Sequence, residues 1–199
     1  MRKLTKNFRH SIVKFIAPKL YKGYRSLLEA NTDVPRPMIR FLKEYYEDTA
    51  LVGCEIGVSE GLNSLSILKE LNIKKMYLVD PYTSYVEDGK ILDYSNAESI
   101  AHKNFEHYEK KIIWIKDFSI NASKQIESLD FCYIDGNHEY KNVLDDISNY
   151  FRLITKGGVI GGHDFNGDYQ GVCRAVIEFS QNLKLKLYTK KYDWWIVKG

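Results

Sequence analysis

Short runs of consecutive apolar residues alternate along the chain with longer segments in which apolar residues recur at helical spacing. The apolar runs lie in ALVGCEIGV, KKMYLVDPY, KIIWIKDF, DFCYIDG and GGVIGGHDF. The segments that follow them include GLNSLSILKELN, AESIAHKNFEHYEK, NASKQIESL, EYKNVLDDISNYFRLI and GVCRAVIEFSQ. In EYKNVLDDISNYFRLI, helical spacing relates Val143, Ile147, Tyr150 and Ile154. Near-continuous apolar strands that alternate with amphipathic helices predict a parallel β-sheet covered by helices on both faces.

Three segments fall outside this alternation. NTDVPRPMIRFLKEYY contains two prolines before a helical pattern, so it is interpreted as a linker that leads into a helix. The polar stretch from Thr83 to Asn96 carries no clear element. The C-terminal LKLKLYTKKYDWWIVKG has two apolar runs split by KKYD, which predicts a β-hairpin.

The first 30 residues form a basic stripe with apolar residues at every fourth position, interrupted at Pro18. We therefore divide the chain into residues 1–45, a basic helical segment with its linker, and residues 46–199, the main domain. A basic amphipathic segment can make a weak contact with an anionic membrane surface or grip an anionic substrate. A helical pair with a solvated basic face is the alternative, and we favour it because solvated charged faces are common.

Composition indicates one well-buried domain, since the chain has 199 residues of which 44% are hydrophobic. The net charge of +3 is small, so we expect no specific nucleic-acid partner. Cys54, Cys132 and Cys173 form no CxxC pair, and two of them lie in apolar runs, which is typical of reduced thiols in a cytoplasmic protein. Neither a membrane-spanning run nor a secretory signal pattern is found.

Acidic residues stand at the C-terminal end of every predicted parallel strand. They are Glu55, Asp80, Asp117, Asp135 and Asp164, with His138 and His163 beside the last two. The carboxyl ends of parallel strands meet at one edge of a sheet, where ligands bind at the point of strand-order reversal. Charged groups at the ends of buried strands are costly unless something satisfies them, so the pattern indicates a binding site.

The loop after the first strand favours a nucleoside with a positive region over a dinucleotide. EIGVSEG has two glycines instead of the three of a pyrophosphate loop, and it adds the carboxylate of Glu60. Asp80 follows Glu55 by about the spacing at which an acid binds a ribose diol in nucleotide-binding units. S-adenosylmethionine (SAM) meets this description.

The blocks CEIGVSEG, YLVDPY, FCYIDGNHEYKNVLDDI, LITKGGVIGGHDF and GVCRAVIEF, in this order, resemble a class I SAM-dependent methyltransferase. More narrowly, the chain is similar to the small group related to cephalosporin-cluster and macrolide-sugar O-methyltransferases. The resemblance implies a Rossmann-like three-layer α/β/α sandwich with a mostly parallel seven-stranded sheet and an antiparallel C-terminal strand. It also implies O-methylation of a small-molecule, sugar or glycan acceptor.

The same resemblance implies roles for individual residues in holding SAM. Those on the methionine side are Glu55, Gly57, Val58 and Gly61, with Asp80 on the ribose, Asp117, Phe118 and Ser119 beside the adenine, and Asp135 at the fourth strand tip. Lys116 departs from the family pattern, which commonly has a glycine before the adenine-side acid. We expect a side chain at Gly57 to enter the space of the cofactor.

Two routes to activating an acceptor hydroxyl are open, with His138 and Asp135 as the catalytic candidates. In one, His138 acts as a general base. In the other, Mg²⁺ or another divalent cation held by Asp135, His163 and Asp164 lowers the pKa of the acceptor, as the resemblance implies.

Other functions remain as alternatives. A metal-dependent hydrolase would use Asp135, His138, His163 and Asp164. A non-catalytic SAM-binding module would dock a membrane or a partner through its basic N-terminal arm. An NAD-dependent oxidoreductase is disfavoured by the missing third glycine. Association of two copies into a homodimer is a further alternative.

Overall fold

A computed structural model describes residues 34–199 apart from residues 88 and 95. The basic stripe predicted for the first 30 residues lies outside the described part of the chain. Residues Pro35–Gly199 form one compact unit. This unit begins earlier than the boundary expected between residues 45 and 46, because the first described helix packs into its core.

The described helices are α1 (Pro37–Tyr46), α2 (Leu62–Glu70), α3 (Ala97–Asn104), α4 (Ser119–Ala122), α5 (Tyr140–Leu153) and α6 (Gln170–Asn182). The strands are β1 (Leu51–Ile56), β2 (Ile73–Val79), β3 (Tyr85–Glu87), β4 (Lys90–Leu92), β5 (Ile112–Ile115), β6 (Leu129–Ile134), β7 (Ile154–Gly162), β8 (Leu187–Lys190) and β9 (Asp193–Val197). Single 3₁₀ turns at Glu109–Lys111 and Ser123–Gln125 complete the described elements.

The main sheet has seven strands in the order β5-β2-β1-β6-β7-β9-β8, which confirms the predicted fold class. Strands β5, β2, β1, β6 and β7 are parallel, while β9 runs antiparallel to both β7 and β8. The chain moves outward from β1 through β2 to β5 and then returns to place β6 on the other side of β1. Strand order therefore reverses between β1 and β6, where open α/β sheets bind their ligands.

Apolar side chains cover both faces of the sheet, as a parallel sheet between two helical layers requires. Along β6, Cys132 and Ile134 pack into one core cluster with Ile147 of α5. Phe131 and Tyr133, which alternate with them, belong to the other cluster, together with Leu42 of α1. Alternation along the strand thus divides one apolar run between two layers.

Helix α1 lies tightly against the sheet. Met38, Ile39 and Leu42 are fully buried. A Cβ atom on Gly161 of β7 would lie 2.6 Å from the Met38 sulfur and 2.2 Å from the carbonyl oxygen of Trp194. The glycine therefore allows both α1 and β9 to approach β7 closely.

The predicted C-terminal hairpin is confirmed, since β8 and β9 pair antiparallel on either side of a turn. The stretch from Thr83 to Asn96, for which the sequence predicts no element, contains the short hairpin of β3 and β4. The helix predicted over residues 97–110 ends at Asn104, before the 3₁₀ turn that leads into β5. No helix in the described ranges combines the length and the apolarity needed to cross a membrane.

Candidate active site

Backbone hydrogen bonds join the C-terminal ends of the five parallel strands into one continuous edge. They run from Asp80 N to Ile115 O (3.3 Å), from Gly57 N to Val79 O (2.9 Å), from Asp135 N to Ile56 O (2.8 Å) and from His163 N to Ile134 O (3.1 Å). Each bond crosses from the end of one strand to the residue that follows its neighbour. The acidic strand ends predicted to converge are therefore held side by side.

The loop after β1 owes its shape to two glycines with left-handed backbone, Gly57 (φ 82°) and Gly61 (φ 83°). A Cβ atom on Gly57 would lie 2.2 Å from the carbonyl oxygen of Asp135. The expectation that this side chain would enter the cofactor's space is thus wrong, because the glycine faces the backbone after β6. At Gly61 a Cβ atom would lie 2.4 Å from the ring of Phe105. Val58, between them, is buried in the core.

Glu55 is a fully buried carboxyl group near the end of β1. Its Oε1 accepts a hydrogen bond from Asn63 Nδ2 at 2.7 Å, whereas its Oε2 has no hydrogen-bond partner among the described residues. Burial raises the pKa of Glu55 to about 8 and outweighs the opposing effect of the Asn63 hydrogen bond. Negative charge on Asp135 raises it further. An unsatisfied buried acid beside this loop indicates a place for a positively charged or hydrogen-bond-donating group.

Asp80 follows β2 and is also buried. Its Oδ2 accepts from the backbone N–H of Ser59 at 2.9 Å, and its Oδ1 accepts from the backbone N–H of Tyr82 at 2.8 Å. Each carboxylate oxygen can accept two hydrogen bonds, so both keep capacity for neighbouring hydroxyl donors. The two backbone bonds fix the plane of the carboxylate, which suits it to a ribose diol.

The residues after β5, which the resemblance places beside the adenine, also stabilise the local structure. Asp117 Oδ1 accepts from the backbone N–H of Phe118 at 2.7 Å and from Asn121 Nδ2 at 3.0 Å, which stabilises the start of α4. The Ser119 hydroxyl donates to Asp146 of α5. Phe118 is 53% exposed, so its ring is the apolar surface that this loop offers to a ligand.

Asp164 joins the two histidines of the site. His138 Nε2 lies 2.9 Å from Asp164 Oδ2, and His163 Nδ1 lies 3.1 Å from Asp164 Oδ1. Burial tends to raise the pKa of Asp164, but the hydrogen bonds from both histidines outweigh it and lower the pKa below its usual value. Because the carboxylate stays ionised, both ring nitrogens must donate to it. The ring of His138 stacks on Tyr169, with centroids 4.2 Å apart.

The sequence interpretation missed a chain of contacts that begins at Arg36, directly before α1. Arg36 Nη1 donates to Asp135 Oδ2 at 2.6 Å and to the hydroxyl of Tyr133 at 3.2 Å. That hydroxyl donates to Asp193 Oδ1 at 2.9 Å, and Asp193 Oδ2 accepts from the backbone N–H of Met38 at 2.9 Å. Arg36 occurs between two prolines of the apparent linker. Asp193 is the first residue of an antiparallel strand, so its beginning, not its end, meets this edge.

The geometry tests the predicted divalent-cation site. Single ligand atoms of Asp135, His138 and Asp164 lie within 4.8 Å of one another. The predicted ligand His163 instead points Nδ1 at Asp164, 4.0 Å from Asp135 Oδ1. Arg36 already compensates Asp135, and the two histidines hold both oxygens of Asp164. In this arrangement the residues do not fit a divalent cation, because the guanidinium of Arg36 already neutralises Asp135 and would repel a second cation beside it.

A cleft of about 400 Å³ opens beside His138. Its lining consists of His138, Glu139, Tyr140, Asp168, Tyr169, Gln170 and Gly171. Gly171, near the start of α6, closely approaches the loop after β6, since a Cβ atom there would lie 2.3 Å from the His138 carbonyl oxygen. This contact holds the floor of the cleft against the same strand end that carries Asp135.

The arrangement fits SAM better than a dinucleotide. The buried carboxyl groups of Glu55 and Asp80 beside the β1 loop offer hydrogen-bond acceptors and disfavour a pyrophosphate. A positively charged ligand group beside Glu55 would favour the ionised form of this carboxyl against the effect of burial. Two glycine turns, the carboxylate of Asp80 and an exposed ring on the next loop follow one another along the edge. Fold and site together define a Rossmann-like, SAM-dependent type of methyltransferase.

Comparison with known proteins agrees with this class. A family model described as a methyltransferase domain matches residues 54–165, more than half of the chain. The chain belongs to this methyltransferase family. A relative from Acanthamoeba polyphaga mimivirus, the protein R132, is 27% identical over 134 residues, which is 65% of this chain. The match spans only 58% of that relative's length.

Solved structures share the fold at low sequence identity. An O-methyltransferase from Bacillus cereus in complex with S-adenosylhomocysteine (SAH) has a TM-score of 0.60 and 16% identity, over 95% of this chain and 96% of that one. The O-methyltransferase NovP has a TM-score of 0.60 and 18% identity, over 81% and 79% of the two chains. CalS11, a TDP-rhamnose 3'-O-methyltransferase of calicheamicin biosynthesis, has a TM-score of 0.61 and 12% identity, over 96% and 92%.

Proposed function

We propose that this protein transfers the methyl group of SAM to a hydroxyl oxygen of a small-molecule, sugar or glycan acceptor. The observation that carries the proposal is the 2.9 Å hydrogen bond between His138 and Asp164 at the mouth of the cleft. A histidine oriented by an ionised carboxylate is the usual arrangement for a general base that activates a hydroxyl. His138 lies at the same edge of the sheet as Glu55 and Asp80, the acidic residues that we expect to bind SAM.

Residues of the β1 and β2 ends would bind the cofactor. Glu55 would face its positive methionine end, within the turn shaped by Gly57, Val58 and Gly61. Asp80 would accept from the ribose hydroxyls, and the segment Asp117–Ser119 would border the adenine with the exposed ring of Phe118. Asp135 would lie between this half of the site and the acceptor half.

When bound, SAM supplies an electrophilic methyl group on a positively charged sulfur. With Nε2–H donating to Asp164, the Nδ1 atom of His138 carries the lone pair that accepts the proton of the acceptor hydroxyl. The acceptor oxygen then forms its bond to the methyl carbon as the carbon–sulfur bond breaks, and the electron pair of that bond stays on sulfur. Ionised Asp164 stabilises the imidazolium that results.

The cleft favours an acceptor with several hydroxyl groups. The lining includes the rings of Tyr140 and Tyr169, one packed under the guanidinium of Arg174 and the other stacked on His138, and the polar side chains of Glu139, Asp168 and Gln170. Rings that stack on a flat apolar face and polar groups around them are a common way to bind a sugar. CalS11, with a similar fold, is described as acting on a nucleotide sugar. We therefore place sugars and sugar nucleotides first among the acceptor classes.

A methyl-transfer assay with labelled SAM and a panel of free sugars, sugar nucleotides and catechol tests the proposal. Loss of the proposed base in His138→Ala should reduce turnover by about 10²-fold or more, with the affinity for SAM unchanged. His107→Ala, which removes an exposed histidine elsewhere, is the control and should retain full turnover.

An unchanged rate in His138→Ala would remove this residue from the mechanism. Turnover of phosphoester or amide substrates in the absence of SAM would instead support the hydrolase alternative. Binding of SAM without transfer to any member of the panel would support a non-catalytic module.

A further inference from the structure

The acceptor half of the site contains a positive charge that the family match does not assign. Arg36 lies outside the matched residues 54–165. Its guanidinium forms an ion pair with Asp135 in which Nη1 and Oδ2 are 2.6 Å apart, and both side chains are less than a third exposed. A charge-assisted hydrogen bond at this length and burial is stronger than an ordinary surface ion pair.

The guanidinium is held in place by groups behind it. It lies over the ring of Tyr133, 5.6 Å from the centroid, and donates to the hydroxyl of the same residue. Tyr133 is in turn fixed by the fully buried Asp193, which accepts from the backbone of Met38. Arg36 is thus a preorganised cation at the sheet edge, because both α1 and β9 contribute to its position.

A divalent cation would have to compete with this guanidinium. The converging ligand atoms belong to Asp135, His138 and Asp164, and Arg36 already holds one oxygen of Asp135. A cation bound to Asp135 would experience repulsion from the guanidinium at short range. Displacing Arg36 would also leave the Tyr133 and Asp193 contacts without their charged partner.

We propose that Arg36 supplies at Asp135 the positive charge that a divalent cation would otherwise provide, and that it thereby excludes such a cation from the site. This inference deepens the proposed function. The exclusion of a cation does not depend on methyl transfer, whereas its effect on turnover rests on the proposed function. Charge compensation by Arg36 keeps Asp135 paired beside the acceptor. His138, oriented by Asp164, then remains the group that takes the proton.

Titration of the full chain with Mn²⁺ in the absence of SAM, followed by electron paramagnetic resonance of the free ion, tests the exclusion directly. Arg36→Met keeps the aliphatic stem over Tyr133 but removes the charge, and Arg36→Gln is a second neutral variant in case the first does not fold. We expect both to bind Mn²⁺ at least about tenfold more tightly than the wild type, a difference of ~1.4 kcal/mol. Arg36→Lys keeps a positive charge and should behave like the wild type.

Adding Asp135→Asn to either neutral variant should abolish the gained binding, which a merely structural effect of losing Arg36 would not predict. Two results would overturn the inference: wild-type binding as tight as that of the neutral variants, or no gain in a folded neutral variant. The experiment measures metal binding without SAM. A failure of the inference about Arg36 is therefore distinguishable from a failure of the proposed methyl transfer. If methyl transfer is found, EDTA should leave its rate unchanged.

Discussion

At the scale of single residues, the site is built from groups whose neighbours decide their chemistry. Glu55 and Asp146 are both buried acids, yet one has an unsatisfied oxygen and the other accepts from Ser119. Gly57 and Gly89 both have positive φ, yet only Gly57 faces crowded backbone. The role of a residue therefore depends on its neighbours as well as on its type. Comparing the same substitution at two such positions separates the effect of the neighbours from the effect of the residue type.

Replacing Gly57 should cost more stability than its backbone conformation alone explains. Gly57→Ala combines a left-handed φ of 82° with a Cβ atom placed 2.2 Å from the Asp135 carbonyl oxygen. Gly89→Ala has a φ of 70° with no atom within 4 Å of its Cβ, so it measures only the backbone cost, about 1–2 kcal/mol. Urea unfolding of both variants should show the larger loss for Gly57→Ala. Equal losses would contradict the close approach of the β1 loop to the end of β6.

Asp146 should make the stability of the protein depend on pH. Burial raises its pKa to about 7 despite the hydrogen bond from Ser119, whereas the unfolded chain should titrate near 3.8. The folded state therefore holds the proton where the unfolded state has released it, and the free energy of unfolding falls as pH rises from about 4 to about 7. Asp146→Asn lacks this loss, so its stability relative to the wild type should increase by a few kcal/mol between pH 4 and pH 8.

Urea unfolding of the wild type and Asp146→Asn across this pH range gives the comparison. Glu127→Gln removes an exposed carboxyl that does not contribute to the raised pKa of Asp146, and it should follow the wild-type profile. Parallel profiles for the wild type and Asp146→Asn would show that the buried carboxyl does not carry the predicted shift.

At the scale of elements, α1 shows most clearly why the part of the site around Arg36 could not be predicted from the sequence. The alternation of strands and helices from residue 50 onward predicts the parallel sheet and its acidic edge because each strand end is local in sequence. The contact of Arg36 with Asp135 joins residues 99 positions apart, and no local pattern encodes it. Two flanking prolines made the segment resemble a linker.

Antiparallel pairing explains the second omission. The C-terminal ends of the predicted strands mark the correct edge for β1, β2, β5, β6 and β7. Strand β9 runs the other way, so its first residue, Asp193, arrives at the same edge. The predicted hairpin placed β9 correctly, but its register beside β7, which brings Asp193 behind Tyr133, depends on tertiary packing.

Substitution of a buried residue in α1 tests whether this helix belongs to the main domain. Leu42 is fully buried, so Leu42→Ala should lower the free energy of unfolding by about 2–5 kcal/mol. Glu44→Ala, on the exposed face of the same helix, should change it by less than about 0.5 kcal/mol. Thermal and urea unfolding give both values. A Leu42→Ala protein as stable as the wild type would mean that α1 does not contribute to the fold.

At the scale of the whole molecule, the order of the strands explains where the site lies and why it has two chemically different halves. Strand order reverses between β1 and β6, and the edge there divides into two chemically different halves. Toward β2 and β5, the buried carboxyl groups of Glu55 and Asp80 offer acceptors to a cationic nucleoside. Toward β7 and β9, Arg36 pairs with Asp135 and both histidines hydrogen-bond to Asp164. His138 also lines the cleft. In the proposed function the first half binds the cofactor and the second binds the acceptor.

The measurement that tests this account most directly is isothermal titration of the protein with SAM. We expect saturable binding by the wild type, a loss of about tenfold or more in Asp80→Ala because the ribose would lose charged acceptors, and unchanged affinity in Asp145→Asn. Absence of SAM binding by folded wild-type protein, or equal affinity in Asp80→Ala, would contradict the assignment of this sheet edge as the cofactor site.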